Sequence, residues 1–144
     1  MEKQSKKVIL IIDGQGGGIG ATIIKALRAE LNEDQIIWAV GTNSTATTKM
    51  MKAGANKGAT GENAVLITVP KADIILGPIS IVLANSMMGE VTPKMAEAIS
   101  SSQGVKILLP LTQEEVHIVG TSREPLPHLV EEMVQRIKEV MKIV

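Results

Sequence analysis

Cysteine is absent from the 144 residues of this chain, which excludes disulfides, thiolate metal sites and thiol nucleophiles. The chain also has no tyrosine and no phenylalanine, and Trp38 is its single tryptophan. Without tyrosine, no phenol is available as a proton donor in any mechanism. The core must therefore be built from aliphatic side chains and from the eight methionines.

The chain also has no excess of positive or negative charge. Fifteen basic and fifteen acidic residues cancel, so no field favours nucleic acid or an anionic membrane as a partner. We interpret residues 1–7, with Lys3, Lys6 and Lys7, as a flexible, solvated arm. No apolar run approaches the ~20 residues of a membrane span, and we expect a cytoplasmic protein. His117 and His128 lack any metal-ligand spacing, and we predict no metal site.

The first third of the chain alternates between strand and helix patterns. Residues 8–12 are a continuous β-branched and aliphatic run, which predicts a strand buried on both faces. From Gly18 the apolar residues recur at helical spacing up to Leu31, with charged residues opposite. Residues 36–40 form a second apolar run. This β-α-β unit implies two parallel strands.

The later segments continue the alternation. Strands are predicted over 72–76, 106–109 and 116–119, the last two joined by a short polar turn. Helices are predicted over 45–53, 79–88, Pro93 to about Ser101, and 126–141. Residues 62–69 suit either a strand or a buried helix. Together these elements predict a single α/β domain over residues 1–144, a three-layer Rossmann-like sandwich with a mostly parallel sheet and helices on both faces.

A glycine-rich turn joins the first strand to the first helix, where open α/β sheets bind phosphates. Two spacings match dinucleotide-binding turns: Gly16-x-Gly18-x-x-Ala21, and Gly14-x-x-x-Gly18-x-Gly20. No Gly-Lys-Ser/Thr follows, so this is not a Walker loop. If the helix amides are open, they hold a phosphate; otherwise the turn only allows helix and strand to pack closely. The predicted binding residues are Gly14, Gln15, Gly16, Gly17, Gly18, Ile19 and Gly20.

The end of the second strand should meet the ribose of a dinucleotide, and it carries no carboxylate there. Three outcomes remain open. In the first, the ribose is hydrogen-bonded by Thr42, Asn43 and Thr45. In the second, Lys49 contacts a 2′-phosphate, which would favour NADP. In the third, no dinucleotide binds. Gly77-Pro78, after the fourth predicted strand segment, should flank the same crevice. NADP or NAD is the expected cofactor, and a phosphate-bearing small molecule the expected partner.

Three carboxylates are weak catalytic candidates. Asp13 precedes the glycine turn and either accepts amide hydrogen bonds within it or acts as an acid, a base or a magnesium ligand with Glu62 or Glu90. The second hypothesis is thus a small enzyme acting on a phosphorylated metabolite. The third is a non-catalytic assembly module whose subunit contact contains exposed Met87, Met88 and Met95. A single-domain protein has no second lobe to close a site, so we expect a homo-oligomer.

Two resemblances add to these patterns. Residues 8–27 resemble the start of a short-chain dehydrogenase/reductase, with Gly14, Gly18 and Gly20 on its three motif glycines; without tyrosine, however, that family's Tyr/Lys catalytic pair cannot exist here. Over its whole length the chain resembles a small family of uncharacterised bacterial proteins, which implies a Rossmann-like fold and no established activity. That resemblance is carried by residues 13–20, 41–43, 58–63, 77–78 and 84–98.

Overall fold

The computed structural model describes residues 7–142, and the predicted arm over 1–7 lies outside them except for Lys7. Five strands alternate with five α-helices: β1 Val8–Asp13, α1 Gly18–Glu30, β2 Ile36–Gly41, α2 Ser44–Ala53, β3 Lys57–Thr60, α3 Glu62–Thr68, β4 Ile74–Pro78, α4 Pro93–Ser100, β5 Val105–Leu109 and α5 Leu126–Val140. Short 3-10 turns follow α3 at Val69–Lys71 and β4 at Ile79–Val82. None of the helices within 7–142 has the length and apolar character needed to cross a bilayer.

The sheet has the order β3-β2-β1-β4-β5, and all four strand pairings are parallel. β1 lies at its centre, with Ile11 opposite Ala39 of β2 and Leu76 of β4. A central strand contacts helices on both faces, which is why residues 8–12 form an uninterrupted apolar run. The predicted α/β fold is confirmed.

Alternate residues of the strands point into two separate cores. Ile9 and Ile11 pack beneath α1, α2 and α5, whereas Leu10 and Ile12 pack on the opposite side with α3 and α4. The three layers are therefore two helical layers around one sheet. Aliphatic side chains and methionines fill both cores, as the lack of tyrosine and phenylalanine requires.

Several predicted elements differ from the observed ones. The helix predicted over 79–88 is wrong: only Ile79–Val82 form a 3-10 turn, and residues 83–90 are a series of turns. Asn85, Met87 and Met88 have positive φ, which a right-handed helix does not allow. The buried Ser86 hydroxyl donates to the Ser80 carbonyl at 2.5 Å, a contact within the segment that stabilises this turn.

One predicted strand is wrong, one observed strand was not predicted, and the structure decides between the two alternatives for residues 62–69. Residues 116–119 form no strand, and the segment 113–125 is exposed. The short edge strand β3 was not predicted, because its four residues are all exposed and carry no apolar alternation. Residues 62–68 are helical, so the helical alternative is the correct one.

Candidate functional site

A crevice of about 640 Å³ opens at the carboxyl ends of β1 and β4. The chain runs outward from β1 to β2 and β3 in one direction, and to β4 and β5 in the other. This reversal in strand order is the place where open α/β sheets bind ligands. The glycine turn from Asp13 to Ile19 forms the floor, and Pro78 and Ser80, the Met87-Met88 pair and residues 111–114 form the walls.

Asp13 caps the first helix from beneath the crevice. Its side chain is buried, and its two carboxylate oxygens accept the Gly14 amide at 2.8 Å and the Gly20 amide at 2.7 Å. The sequence prediction that Asp13 accepts bonds within its own turn is confirmed. Burial raises the pKa of the Asp13 carboxyl above its ordinary value; the amides of Gly20, Gly14 and Ile19 oppose this rise, and the charge of Glu90 adds to it.

Glu90 ties the glycine turn to the end of β2. One carboxylate oxygen accepts the Thr42 hydroxyl at 2.5 Å, the Gln15 amide at 3.0 Å and the Asn43 side-chain amide at 3.0 Å. The hydrogen bond from Thr42 is the largest effect and lowers the pKa of Glu90; burial, the second largest, raises it, and the bonds from Gln15 and Asn43 lower it further, so that the pKa is lowered overall. Thr42 and Asn43, predicted to meet a ribose, are thus engaged by the protein itself.

The five glycines of the turn serve two different purposes. A methyl group on Gly14 would collide with Met87 and Thr42; on Gly17 it would lie 2.7 Å from the Ala46 backbone; on Gly20 it would lie 2.5 Å from the sulfur of Met50. These three glycines permit close packing, and Gly17 also has a φ of 72°. Gly16 faces open space, and Gly18 has only the Lys49 ammonium, 3.9 Å from the position of an added methyl. Packing therefore does not explain why positions 16 and 18 are glycine.

The expectation of a fully open helix terminus is therefore corrected. The amides of Gly14 and Gly20 bond to Asp13, that of Gln15 bonds to Glu90, and that of Gly17 bonds to the Gly14 carbonyl. Within residues 7–142 the amides of Gly16 and Gly18 have no acceptor. These two side-chain-free amides, beside the exposed Lys49, are the part of the turn left for a ligand.

The rim of the crevice is a strained turn that presents two methionines. Met87 and Met88 have φ of 56° and 57°, a conformation that non-glycine residues rarely adopt. The Met87 amide donates to Glu114 at 3.1 Å, which links this turn to the segment after β5. Met88 is 98 % exposed, although it is apolar. Backbone strain of this kind is concentrated at binding and catalytic sites.

The remaining predicted residues are divided between this crevice and other places. Pro78 lines the crevice, and Gly77 allows close approach to the Ile12 carbonyl, 2.4 Å from the position of an added methyl. Thr45 and Lys49 both lie on the exposed surface of α2 and do not line the crevice, but the Lys49 ammonium lies beside Gly18 at the edge of the glycine turn. Glu62 accepts the Thr92 hydroxyl at 2.6 Å near the start of α4 and does not line the crevice.

Among residues 7–142 no group of three or more His, Asp or Glu side chains is arranged to hold a metal ion. Met95, predicted as an exposed contact, lies on the inward face of α4 and is buried in the core. The structure adds wall residues that sequence reasoning missed: Ser80, Leu111, Thr112, Gln113 and Glu114. The one feature of the sequence that could have identified these residues is their position directly after β4 or β5.

The fold and site define the class: a parallel α/β protein with a glycine-floored crevice where the strand order reverses. Residues 8–142 match the family described as a domain of unknown function, DUF3842, and the chain belongs to that family. No curated protein matches the chain. A crystal structure of a universal stress protein in complex with cAMP is similar over 74 % of this chain and 98 % of its own, at 12 % identity and a TM-score of 0.39. These comparisons show no resemblance to the short-chain dehydrogenases.

Proposed function

We propose that the protein binds a phosphate-bearing small molecule of the nucleotide class in the crevice, with a phosphate on the amides of Gly16 and Gly18. One observation carries this proposal: these two glycines have no neighbour that would exclude a side chain. Glycine in an open position has a conformational cost and no packing benefit. A ligand that must approach the backbone explains why both positions lack a side chain.

The electrostatics of the turn support a phosphate at this point rather than deeper in the crevice. Gly18 is the first residue of α1, where the helix dipole favours negative charge. The ammonium of Lys49 lies beside it. Asp13, on the floor, already occupies the inner amides with a carboxyl group and would repel an anion placed further in.

NADP and NAD are the first ligands to test, because the glycine spacings of this turn are those of dinucleotide-binding turns. The engagement of Thr42 and Asn43 by Glu90 leaves Lys49 as the predicted cofactor contact on the β2 side. A reaction that uses Asp13 with Glu62 or Glu90 as acid and base has less support. Both oxygens of Asp13 hold amides, and Glu62 lies elsewhere.

Calorimetric titration tests the proposal with NADP, NAD, ATP, ADP and inorganic phosphate as ligands. In the double variant Gly16→Ala/Gly18→Ala the added methyl groups should keep a phosphate from approaching the two amides. Because one charge-assisted hydrogen bond contributes about 1.5–3 kcal/mol, we expect binding at least about tenfold weaker. Ser44→Ala is the matched control, since Ser44 is the first residue of α2 as Gly18 is of α1. Its affinity should equal that of the wild type.

A second pair of variants, one at Lys49 and one control, tests the contribution of the Lys49 charge. Lys49→Gln should weaken binding and reduce its dependence on salt, whereas Lys52→Gln, nearly one turn further along the same helix, should change neither. If the wild type binds none of the panel, or if the double alanine variant binds as tightly as Ser44→Ala does, the proposal is wrong.

A further inference from the structure

The crevice extends to one side of the glycine turn only. Its other lining residues lie at the end of β4 and in the segments that follow β4 and β5. No residue between 41 and 60, the stretch that runs from the end of β2 to the end of β3, lines it. A ligand with its phosphate on Gly16 and Gly18 therefore has room for the rest of the molecule on the β4 side.

The polar groups at the end of β2 are already satisfied by the protein itself. The Thr42 hydroxyl donates to Glu90 at 2.5 Å. The side-chain nitrogen of Asn43 donates to the Gln15 carbonyl at 2.9 Å and to Glu90 at 3.0 Å. The side-chain oxygen of Asn43 accepts the Ala46 amide at 2.9 Å. In dinucleotide-binding domains the end of the second strand holds a ribose; here its hydrogen-bonding groups are engaged.

The β4 side of the crevice offers apolar surface instead. Pro78, Met87 and Leu111, called the apolar wall from here on, line it. Pro78 is buried, whereas Met87 and Leu111 are half-buried and pack on the two cores beneath them. The flat faces of a nucleobase suit such a surface, because covering them removes apolar area from water.

Thr112 brings to this side a hydrogen-bond donor that the protein does not use. Its hydroxyl oxygen accepts the Ser80 hydroxyl at 2.7 Å and the Glu114 amide at 3.1 Å. Since both lone pairs are occupied, the hydroxyl can only donate its own proton. Among residues 7–142 no acceptor receives that proton. Thr112 is half-buried and lines the crevice, so a ligand there is the acceptor that fits.

Two further polar side chains lie next to Thr112 on the same side. Gln113 is exposed, and its side-chain amide is both a donor and an acceptor. Glu114 accepts the Met87 amide at 3.1 Å through one oxygen and has a second oxygen as a further acceptor. A nucleobase edge presents acceptors and amino donors side by side. A sugar phosphate has neither such an edge nor a flat apolar face.

From these observations we propose that the crevice holds a nucleoside phosphate with its base against the apolar wall, where the Thr112 hydroxyl donates to it. This inference rests on the proposed function and specifies how its ligand is oriented. Only one nucleoside of a dinucleotide meets the apolar wall, and the other has no binding surface at the end of β2. Thr112 is thus a specificity-determining residue for the nucleoside, separate from the amides that hold the phosphate.

Calorimetric titration of the full chain with ADP, GDP, NAD and inorganic pyrophosphate tests the inference. ADP or GDP should bind at least about tenfold more tightly than pyrophosphate, because the base covers apolar surface. NAD should bind no more tightly than ADP. Thr112→Val should weaken binding of the preferred nucleotide about three- to tenfold, the contribution of one hydrogen bond, and leave that of pyrophosphate unchanged. Thr112→Ser keeps the hydroxyl and should restore the affinity.

Thr45→Val is the matched control, because Thr45 lies on the β2 side outside the crevice; this variant should bind every ligand as the wild type does. Circular dichroism melting curves verify that each variant is folded. The inference is overturned if neither nucleotide binds more tightly than pyrophosphate, or if NAD binds tenfold more tightly than ADP. It is also overturned if Thr45→Val weakens nucleotide binding, or if Thr112→Val has no effect or weakens pyrophosphate binding equally.

These failures are distinguishable from a failure of the proposed function. Pyrophosphate binding that is lost in Gly16→Ala/Gly18→Ala supports the proposed phosphate site even where the orientation of the nucleoside is wrong. A wild type that binds none of the four ligands overturns both.

Discussion

Glu90 should stabilise the glycine turn far more than its position in an irregular segment suggests. Its carboxylate joins its own segment to two others that are distant in sequence: the glycine turn at Gln15, and the link between β2 and α2 at Thr42 and Asn43. Replacement by alanine removes all three hydrogen bonds. Because the donors lie near the surface and can bond to water instead, no large desolvation penalty is added.

The expected loss is about 2–3 kcal/mol for Glu90→Ala, less than three separate bonds to a charged group because one oxygen is shared and partly solvated. For a chain of this length each kcal/mol shifts the melting temperature by roughly 3–4 °C, so the variant should melt about 6–12 °C lower. Glu90→Gln keeps an acceptor of the same size and should lose only about 1 kcal/mol.

The pH dependence of stability distinguishes the contribution of the negative charge of Glu90 from that of the shape of its side chain. The pKa of Glu90 is lowered by its donors in the folded protein. Its contribution is therefore fully present above the ordinary value of 4.5 and is lost as the pH falls through the lowered pKa. The gap between wild type and Glu90→Gln in urea unfolding should thus narrow below about pH 4.5.

Glu97→Gln, an exposed position on α4, is the control and should match the wild type within about 0.5 kcal/mol at every pH. A Glu90→Ala variant that is as stable as this control would show that Glu90 does not stabilise the glycine turn. A gap between wild type and Glu90→Gln that does not change with pH would refute the role of its charge.

Three further predictions concern the same corner. Gly20→Ala should lose about 1–3 kcal/mol in chemical unfolding, because the added methyl meets Met50; unchanged stability would contradict the packing role of this glycine. The pKa of Asp13 is raised, so its stabilising effect is complete below 3.8 and is lost as the pH rises through the raised pKa. As the pH rises from 3.8 through the raised pKa, the unfolding free energy of the wild type should therefore fall relative to that of Asp13→Asn. If it rises relative to that of Asp13→Asn instead, the pKa of Asp13 is lowered and the prediction is wrong. Met88→Ser should leave stability within about 0.5 kcal/mol but weaken nucleotide binding severalfold in calorimetry; an unchanged affinity would contradict a contact between Met88 and the ligand.

The first two buried strands were predictable from the sequence almost to the residue, whereas the strand predicted over 72–76 lies two residues later, at Ile74–Pro78, and includes Gly77 and Pro78. Residues 8–12 and 36–40 lie within β1 and β2, because strands covered on both faces leave a continuous apolar run. The helix predicted over 45–53 begins one residue earlier, at Ser44, where Asn43 caps it. The location of the glycine turn followed from the same β-α-β order.

Side-chain contacts decided what the sequence could not show. The turn that replaces the helix predicted over 79–88 depends on the Ser86 hydroxyl and on left-handed methionines, which no local pattern reveals. The bond from Gln15 to Glu90 joins residues 75 positions apart. For this reason the sequence predicted binding residues all along the turn from Gly14 to Gly20, whereas the structure leaves two of its five glycines, Gly16 and Gly18, without a packing role.

The most direct test of the central claim is the amide spectrum of ¹⁵N-labelled protein during titration with ADP and with inorganic phosphate. A phosphate on the open amides should shift the Gly16 and Gly18 resonances most, while Gly14 and Gly20, bonded to Asp13, shift little. Saturable shifts confined to these positions would support the account. Shifts that are absent, or that centre on residues away from the glycine turn, would contradict it.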